Sequence, residues 1–287
     1  MKELVVVSGK GGTGKTCLTA SLAVLARNKV LADCDVDAAN LHLLLEPRQQ
    51  EKKPFYGLPK AIIEKQNCLE CAHCTSLCHF NAIREFTVQP LACEGCGVCF
   101  HACPCDAVRM VDYLAGYLFL SQTKYGPLVH AQLAVAEGNS GKLVAAVRQQ
   151  AREVAKREGS ALIITDGPPG IGCPVIASLS GVDLALLVTE PTLSGLHDLE
   201  RILALVEHFQ GKAAVCINKW DLNQENSREI EAISETKGIP VVGKIPYDPE
   251  VNESVRRRLP VVRLNGGRAA REIVKMWNGL AELLSLQ

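Results

Sequence analysis

The sequence has no excess of charge of one sign. Its 287 residues include 31 basic and 31 acidic side chains, so the formal net charge is zero. A neutral chain gives no indication of a polyanionic partner, and we therefore expect it to bind no nucleic acid. The only basic run, residues 256–258, is interpreted as a solvated helix face.

Membrane and secretory signals are lacking as well. No apolar run approaches the ~20 residues that a membrane-spanning helix needs. The strand LVVVS is followed by a glycine loop from Gly9, which leaves no room for a signal peptide. A helix predicted over 268–284 has an apolar stripe typical of core packing and lacks the basic face of a membrane-surface helix. We expect a cytoplasmic protein with no membrane partner.

What the sequence does contain is an alternation of short apolar runs and helical patterns. In residues 195–209, for example, apolar side chains recur at helical spacing. Near-continuous apolar strands separated by helices predict an α/β fold with a mostly parallel sheet and helices on both faces. The strands are predicted at 4–8, 29–33, 117–121, 128–133, 161–165, 183–189, 213–218 and 241–245.

Residues 59–112 interrupt this alternation, because they are dense in cysteine and poor in helix signal. We predict that they form a small inserted α+β domain between the two parts of the main domain, 1–58 and 113–287. Eight of the thirteen cysteines lie there in two tight runs, which indicates metal binding rather than disulfides.

The two cysteine runs are copies of one another. CLECAHCTSLCHFNAIR (68–84) and CEGCGVCFHACPCDAVR (93–109) align at an offset of 25 residues, with all four cysteines matched. Each copy has the spacing of bacterial ferredoxins, in which the fourth cysteine of one run binds the other cluster. This pattern implies two 4Fe–4S clusters, the first held by Cys68, Cys71, Cys74 and Cys103 and the second by Cys93, Cys96, Cys99 and Cys78.

Zinc is the alternative metal for these cysteines. It is disfavoured because zinc knuckles usually show paired C-x2-C motifs rather than two runs of this kind. One departure from the ferredoxin pattern is His79, which follows Cys78 where the second copy has Pro104, and we expect it to affect one cluster's potential. Cys105, a ninth local thiol, is interpreted as a spectator.

The N-terminal glycine loop has the sequence and context of a phosphate-binding P-loop. GKGGTGKT lies between a predicted strand and a predicted helix, so that backbone N–H groups and the helix dipole face the phosphates. Lys15 is expected at the β- and γ-phosphates, and the Thr16 hydroxyl at Mg²⁺. The predicted loop contacts are Gly9, Lys10, Gly11, Gly12, Thr13, Gly14, Lys15, Thr16 and Cys17.

Lys10 is an additional lysine that an ordinary P-loop does not require. With it, the loop resembles the deviant Walker A motif of the MinD-like and ParA-like ATPases, a superfamily that includes the nitrogenase iron protein and Mrp-type scaffolds. The resemblance covers about 1–57 and 113–287 and implies a Rossmann-like P-loop NTPase fold. It also implies that Lys10 reaches the partner's phosphates in an ATP-bound homodimer. Addition of charge to its own site is the alternative.

The same resemblance implies roles for two carboxylates. Asp35, in DCDVDAANLHL (33–43), would orient the attacking water near Mg²⁺ and act with Lys10 and Lys15 in catalysis. Asp166, at the end of a predicted strand, would hold Mg²⁺ through water. Asp33 and Asp37 have either a supporting role or a solvated position.

The segment INKWD lies at the expected base-reading position. NKxD is typical of GTPases, whereas MinD-like relatives place an asparagine here and bind ATP. We therefore expect ATP, with Asn218 and Asp221 as candidate base contacts.

Cys173, seven residues after Asp166, is the remaining candidate ligand. In the nitrogenase iron protein a cysteine at this distance helps to hold a cluster shared between subunits, but its second cysteine has no counterpart between Cys105 and Cys173. A bridging metal, a redox or docking role and simple packing are therefore all open for Cys173.

Taken whole, the chain resembles MinD-superfamily ATPases with an inserted ferredoxin domain, found mainly in anaerobes. This implies a MgATP-dependent homodimer that couples nucleotide state to two clusters, for electron transfer to a redox partner or for metal-cofactor maturation. An iron–sulfur scaffold or carrier is the alternative, disfavoured because a C-terminal C-x2-C is absent. A MinD-like spatial switch is also considered, but it gives eight cluster cysteines no purpose.

Overall fold

The structure is a computed structural model that describes residues 1–134, 140–264 and 266–286. Its strands are β1 (Lys2–Ser8), β2 (Lys29–Asp33), β3 (Arg48–Tyr56), β4 (Lys60–Ile63), β5 (Ile83–Arg84), β6 (Thr87–Val88), β7 (Val108–Val111), β8 (Leu114–Thr123), β9 (Gly126–Leu133), β10 (Leu162–Pro169), β11 (Leu184–Thr189), β12 (Ala213–Asn218) and β13 (Val241–Ile245). Its α-helices are α1 (Lys15–Leu25), α2 (Leu41–Leu45), α3 (His73–Leu77), α4 (Val98–His101), α5 (Ser140–Glu158), α6 (Cys173–Leu179), α7 (Leu193–His208), α8 (Gln224–Thr236), α9 (Glu250–Arg256) and α10 (Arg268–Leu283).

A nine-stranded sheet with the order β13-β12-β11-β1-β10-β2-β9-β8-β3 forms the centre of the fold. The strands from β13 to β9 pair in parallel, and β8 and β3 are antiparallel additions at one edge. All eight predicted strands are present, and the prediction of a mostly parallel sheet is confirmed. The central strands are buried over nearly their whole length, as their continuous apolar runs require.

Helices cover both faces of this sheet. Leu4 and Val6 of β1 pack in a core with residues of α1 and α10, whereas Val5 and Val7 pack in a second core with residues of α7. Successive side chains of a strand point to opposite faces, so β1 contributes to both layers. The prediction of helices on both faces is confirmed, and the loops at the carboxyl ends of the parallel strands meet at one edge.

Strand β3 is an element that the apolar patterns did not predict. Its sequence, RQQEKKPFY, is charged and almost fully exposed, and it pairs with β8 on one side only. A charged strand containing a proline is typical of a sheet edge, where it prevents pairing with another molecule. Because this strand buries almost no side chains, it has no apolar alternation by which to find it.

The residues between β3 and β8 form two small sheets of their own. β4 pairs with β7 and β5 pairs with β6, both antiparallel, and neither sheet joins the nine-stranded one. Their buried apolar side chains are few: Ala61, Ile83, Val88 and Val108. These sheets fall within 59–112; the assignment of that range as a domain stays a prediction.

Candidate functional site

The phosphate-binding loop connects β1 to α1 at the carboxyl edge of the sheet. Gly12 and Gly14 have φ angles of 82° and 85°, in the left-handed region that favours glycine. Gly14 caps the N-terminus of α1, so the loop N–H groups and the helix dipole converge on one point. The local backbone is therefore suited to an anionic ligand.

Lys15, Thr16 and Asp166 lie together at this point. The Lys15 ammonium is 3.1 Å from Asp166 Oδ1, and the Thr16 hydroxyl donates to Asp166 Oδ2 at 2.7 Å. Asp166 is fully buried on β10, where it also accepts from the Thr19 hydroxyl at 3.1 Å. Burial opposes the charge of Lys15, but the charges of Asp166 and Asp35 outweigh it and raise its pKa.

Asp35 is the second carboxylate at Lys15, with Oδ2 lying 3.7 Å from the ammonium. Burial, together with the charges of Asp166 and Asp37, raises the pKa of Asp35 despite the nearby Lys15. The sequence-predicted pair Asp35 and Asp166 thus reaches the same lysine from two different strand ends, after β2 and in β10.

Asp33 has a supporting position, the first of the two options that the sequence left open. It is fully buried beside Asp166, its neighbour in the β2–β10 register, and it accepts from the N–H groups of Asp35 and Leu41, both at 3.1 Å. It therefore anchors both ends of the segment that carries Asp35. Burial, and then the charge of Asp166, raises the pKa of Asp33 to about 8. Asp37, in contrast, is exposed.

The donor set at this point fits Mg²⁺. Three carboxylates face one ammonium, and burial first, then the charge of Asp166, raises the pKa values of both Asp33 and Asp35. Carboxylate and hydroxyl oxygens are the ligands that Mg²⁺ prefers, and it usually keeps several waters as well. Thr16, Asp35 and Asp166 are the residues that would hold it. Bound there, the ion would supply charge to the phosphate oxygens.

A cleft of about 850 Å³ opens from this loop. Loop residues 11–17, Asp35, Asn40, Pro168 and Pro169 contribute to its lining. Arg258, which follows α9, also lines the cleft. The basic run 256–258 is exposed, as the sequence indicated, but one of its members lies at the nucleotide cleft. No motif marked Arg258, because the chain folds back to bring it there.

The base-reading candidates lie in different surroundings. Asn218, at the end of β12, donates through Nδ2 to the carbonyl of Thr13 at 2.7 Å and so braces the phosphate loop. Asp221 accepts from the Tyr247 N–H at 2.6 Å, and it is not among the residues that line the cleft. Cys17 lines the cleft, and burial raises the pKa of its thiol.

The cysteines of the two repeats line two separate cavities, and each cavity draws on both copies. Cys93, Cys96 and Cys99 line one cavity together with Cys78. The other is lined by Cys68, Cys71 and Cys74 together with Cys103, and also by Cys105. All thirteen cysteines lie within the described residues and are free thiols. The cysteines are grouped as in the two ligand sets that the ferredoxin spacing implied, with Cys105 in addition, and their role as cluster ligands stays a prediction.

Each cavity brings at least four cysteine thiols together, which is the ligand type of an iron–sulfur cluster. Within the described residues, no group of three or more His, Cys, Asp or Glu side chains converges closely enough to hold one metal ion. A cubane cluster instead receives one thiolate at each of four separate irons. Backbone N–H groups also point at sulfur: Ala82 donates to Cys78 at 3.4 Å, and Ala107 donates to Cys103 at 3.3 Å. Such contacts tune iron–sulfur clusters.

Comparison with known proteins identifies the main fold. The profile of a family described as "CobQ/CobB/MinD/ParA nucleotide binding domain" (CbiA) matches residues 4–261. The chain belongs to this family. It is therefore a P-loop protein of the MinD/ParA family type, and in this fold the loop, Asp35 and Asp166 lie at one site.

Several relatives cover nearly the whole chain. An uncharacterized protein of Methanocaldococcus jannaschii is 31% identical over 286 residues, which are 98% of this chain and 97% of the relative. The septum site-determining protein MinD of Synechocystis is 26% identical, over 90% of this chain and 81% of its own length. The MinD structure of Pyrococcus horikoshii complexed with Mg-ADP has a TM-score of 0.61 at 18% identity, covering 98% and 96% of the two chains. That last likeness shows the fold alone.

Lys10, the additional lysine of the MinD-like loop, is held by its own chain. Its ammonium lies 3.2 Å from the Thr192 hydroxyl, 3.1 Å from that of Ser194 and 3.7 Å from a Glu190 carboxylate oxygen. It does not line the cleft. In this single chain, therefore, Lys10 adds no direct contact to its own phosphate site.

Cys173 is exposed at the first residue of α6. Gly141 of α5 lies close to it, since a Cβ atom at this glycine would be 3.4 Å from the Cys173 Cβ. The nitrogenase-type second cysteine was expected near 136–144, of which 136–139 lie outside the described residues.

No helix in the described part of the chain is long and apolar enough to cross a membrane.

Proposed function

We propose that this family member is a MgATP-dependent homodimeric ATPase whose nucleotide state is coupled to an inserted two-cluster ferredoxin unit. The coupled clusters would serve electron transfer to a redox partner or the maturation of a metal cofactor. One observation carries the proposal. Each cavity in the cysteine region is lined by three cysteines of one repeat and the fourth of the other, as two-cluster ferredoxin ligation requires.

The hydrolytic part of the proposal assigns a task to each buried side chain. Lys15 would stabilise the charge on the β- and γ-phosphate oxygens, and Asp166 and Thr16 would hold Mg²⁺ beside them. Asp35 accepts a hydrogen bond from the attacking water and orients it toward the γ-phosphorus. The water oxygen would bond to that phosphorus as the bond from it to the β-phosphate oxygen breaks, and ADP, inorganic phosphate and a proton would be released. Asp33 keeps Asp35 in position through the two backbone hydrogen bonds.

Dimerisation gives Lys10 a different partner. In the single chain its ammonium is held by Glu190 and two hydroxyls on the β11–α7 side of the loop. It is about one-third exposed, so a second chain can reach it. Because these contacts are long and partly solvated, their exchange for a partner's phosphate oxygens costs little. We propose that ATP closes the dimer in this way.

The connection to the cysteine region begins at Asp35. The segment after it leads through α2 into β3, and β3 pairs with β8, the strand that follows the cysteine region. A stack of rings also connects α2 to β8. The ring centroids of His42 in α2 and His130 in β9 are 5.9 Å apart, and those of His130 and Phe119 in β8 are 5.0 Å apart. Movement of the Asp35 segment would therefore be transmitted to the strands that hold the insert.

Two other functions receive less support. A spatial switch is suggested by relatives named septum site-determining proteins, but it gives the two cysteine cavities no purpose. A carrier that donates clusters is disfavoured because four-thiolate ligation usually retains a cluster.

Metal analysis of anaerobically purified protein tests the proposal. Two 4Fe–4S clusters predict about eight irons and about eight sulfides per chain, with zinc at background. The same preparation should hydrolyse ATP, and Cys96→Ala should reduce iron while ATP binding is kept. Stoichiometric zinc, or an iron content that the cysteine substitution leaves unchanged, would overturn the assignment.

A further inference from the structure

The two cysteine cavities differ by one thiol. The cavity of Cys93, Cys96 and Cys99 contains four cysteines, whereas the cavity of the first repeat contains a fifth, Cys105. The sulfurs of Cys105 and Cys103 are only 3.7 Å apart. Cys105, which the sequence suggested to be a spectator, is therefore close enough to occupy the same ligand position as Cys103.

The internal repeat shows what stands at this position in the other cavity. Cys105 corresponds to Phe80 at the offset of 25 residues, and Phe80 lines the second cavity as Cys105 lines the first. The neighbouring contacts are conserved between the copies, because the N–H four residues on points at sulfur in each, at 3.4 Å for Cys78 and 3.3 Å for Cys103. The cavity-lining position itself differs, because it is Phe80 in the first copy and Cys105 in the second.

We propose that Cys105 is a reserve ligand of the first cluster, able to take the place of Cys103, and that the second cluster has no such reserve. The proposal rests on the proposed function, since it assumes that the cavities hold clusters. In the exchange Cys105 forms a sulfur–iron bond as the Cys103–iron bond breaks. The proton of the incoming thiol passes to the departing thiolate, so no electron and no further reactant is required.

The physical basis of the exchange is proximity. Thiolate sulfur is a preferred ligand of iron in clusters, and displacement of one thiolate by another needs only that the second be within reach. Only Pro104 lies between Cys103 and Cys105, and their sulfurs are already 3.7 Å apart, so rotation of the two cysteine side chains moves the Cys105 sulfur toward the position of the Cys103 sulfur. The first cluster can then lose one protein ligand without being released.

Iron and sulfide analysis of matched variants tests this asymmetry. Wild type and Cys105→Ala should each carry about eight irons. Cys103→Ala should also keep about eight, because Cys105 replaces the lost ligand. Cys103→Ala/Cys105→Ala and Cys78→Ala should each fall below about eight, to about seven if a cluster with three thiolates loses its fourth iron or to about four if it is lost whole. EPR of the oxidised Cys103→Ala protein should show no 3Fe–4S signal, because the fourth iron stays bound.

The outcomes separate the two proposals. A wild type that binds no iron defeats the proposed function itself. A wild type with about eight irons beside a Cys103→Ala variant that falls as far as the double variant, or that shows a 3Fe–4S signal, overturns the reserve ligand alone. Phe80→Cys in the Cys78→Ala background is the reciprocal measurement. It should regain iron relative to Cys78→Ala, and a failure to do so would contradict the claim that this position decides the difference.

Discussion

The nucleotide cleft and the cysteine region are built by opposite means. At the cleft, Lys15, Asp33 and Asp166 are buried, and the helix and strands that carry them contribute side chains to large apolar cores. In the cysteine region, each of the eight repeat-matched cysteines is partly or fully exposed, and the buried apolar side chains are few and mostly small: Ala61, Ala82, Ile83, Val88, Ala107 and Val108. A core that small rarely stabilises a fold without disulfides or a metal. The comparison teaches that the nucleotide cleft is organised by the protein's own core, whereas the cysteine region has little core of its own and, under the proposed function, would depend on its clusters for folding.

The largest expected difference between the two regions is their response to iron removal. We expect chelation under anaerobic conditions to unfold residues 60–111 while the nine-stranded sheet stays folded, because metal binding and folding are coupled where the apolar core is small. Hydrogen exchange should show loss of protection in β4 and β7 and none in β1 and β10. Unchanged protection of 60–111 after complete iron loss would show that the region folds unaided.

Substitution of Lys15 should affect the nucleotide cleft and leave the cysteine region unchanged. Lys15→Ala removes the ammonium between Asp35 and Asp166 and should lower ATP turnover by at least about 100-fold. Iron content should not change, because Lys15 does not line either cysteine cavity. Lys2→Ala, which breaks the ion pair of an exposed lysine with Asp183, is the matched control and should keep both properties.

A comparison of ATP with GTP tests which nucleotide the cleft binds. ATP at a hundredfold excess over its Kd should stabilise the protein by about 3 kcal/mol, measured by thermal unfolding, and GTP at the same concentration should have little effect. Asp221→Asn should not alter this preference, because the Asp221 carboxylate is engaged by the Tyr247 N–H. Protection by GTP and not by ATP, lost in Asp221→Asn, would assign a GTPase.

The smallest expected effect concerns pH. Because the folded pKa of Asp33 is raised, its proton stabilises the folded state fully below the unfolded pKa, and this stabilisation is lost as pH rises through the folded value of about 8. Without Mg²⁺, the contribution of this group to the free energy of unfolding should therefore fall across that window.

Urea unfolding at pH 5 and pH 9 measures this fall. Asp33→Asn, which cannot ionise, should flatten the pH dependence, whereas Asp37→Asn, at an exposed neighbour, should leave it as in the wild type. Identical slopes for the wild type and Asp33→Asn would mean that Asp33 does not hold its proton in the folded state.

Much of the cleft could be predicted from the sequence because its elements are local. Apolar runs predicted the parallel strands, and the glycine loop between β1 and α1 predicted the phosphate site. β3 could not be predicted, because a charged edge strand buries no alternating side chains. Nor could Arg258 or the burial of Asp33, since both depend on chain segments far apart in sequence coming together. The cysteine spacing predicted which four cysteines group together in each copy. It could not predict that the Cys105 sulfur lies close to the Cys103 sulfur, because this distance depends on the path of the backbone.

The central claim, that nucleotide state is coupled to the clusters, is tested most directly by a redox titration followed by EPR. The protein would be titrated anaerobically without nucleotide, with MgADP and with Mg²⁺ and a non-hydrolysable ATP analogue, and Lys15→Ala would serve as the uncoupled control. A coupling free energy of about 1–3 kcal/mol predicts that at least one cluster potential shifts by about 40–130 mV between nucleotide states. Identical potentials and line shapes in all three states would contradict the account.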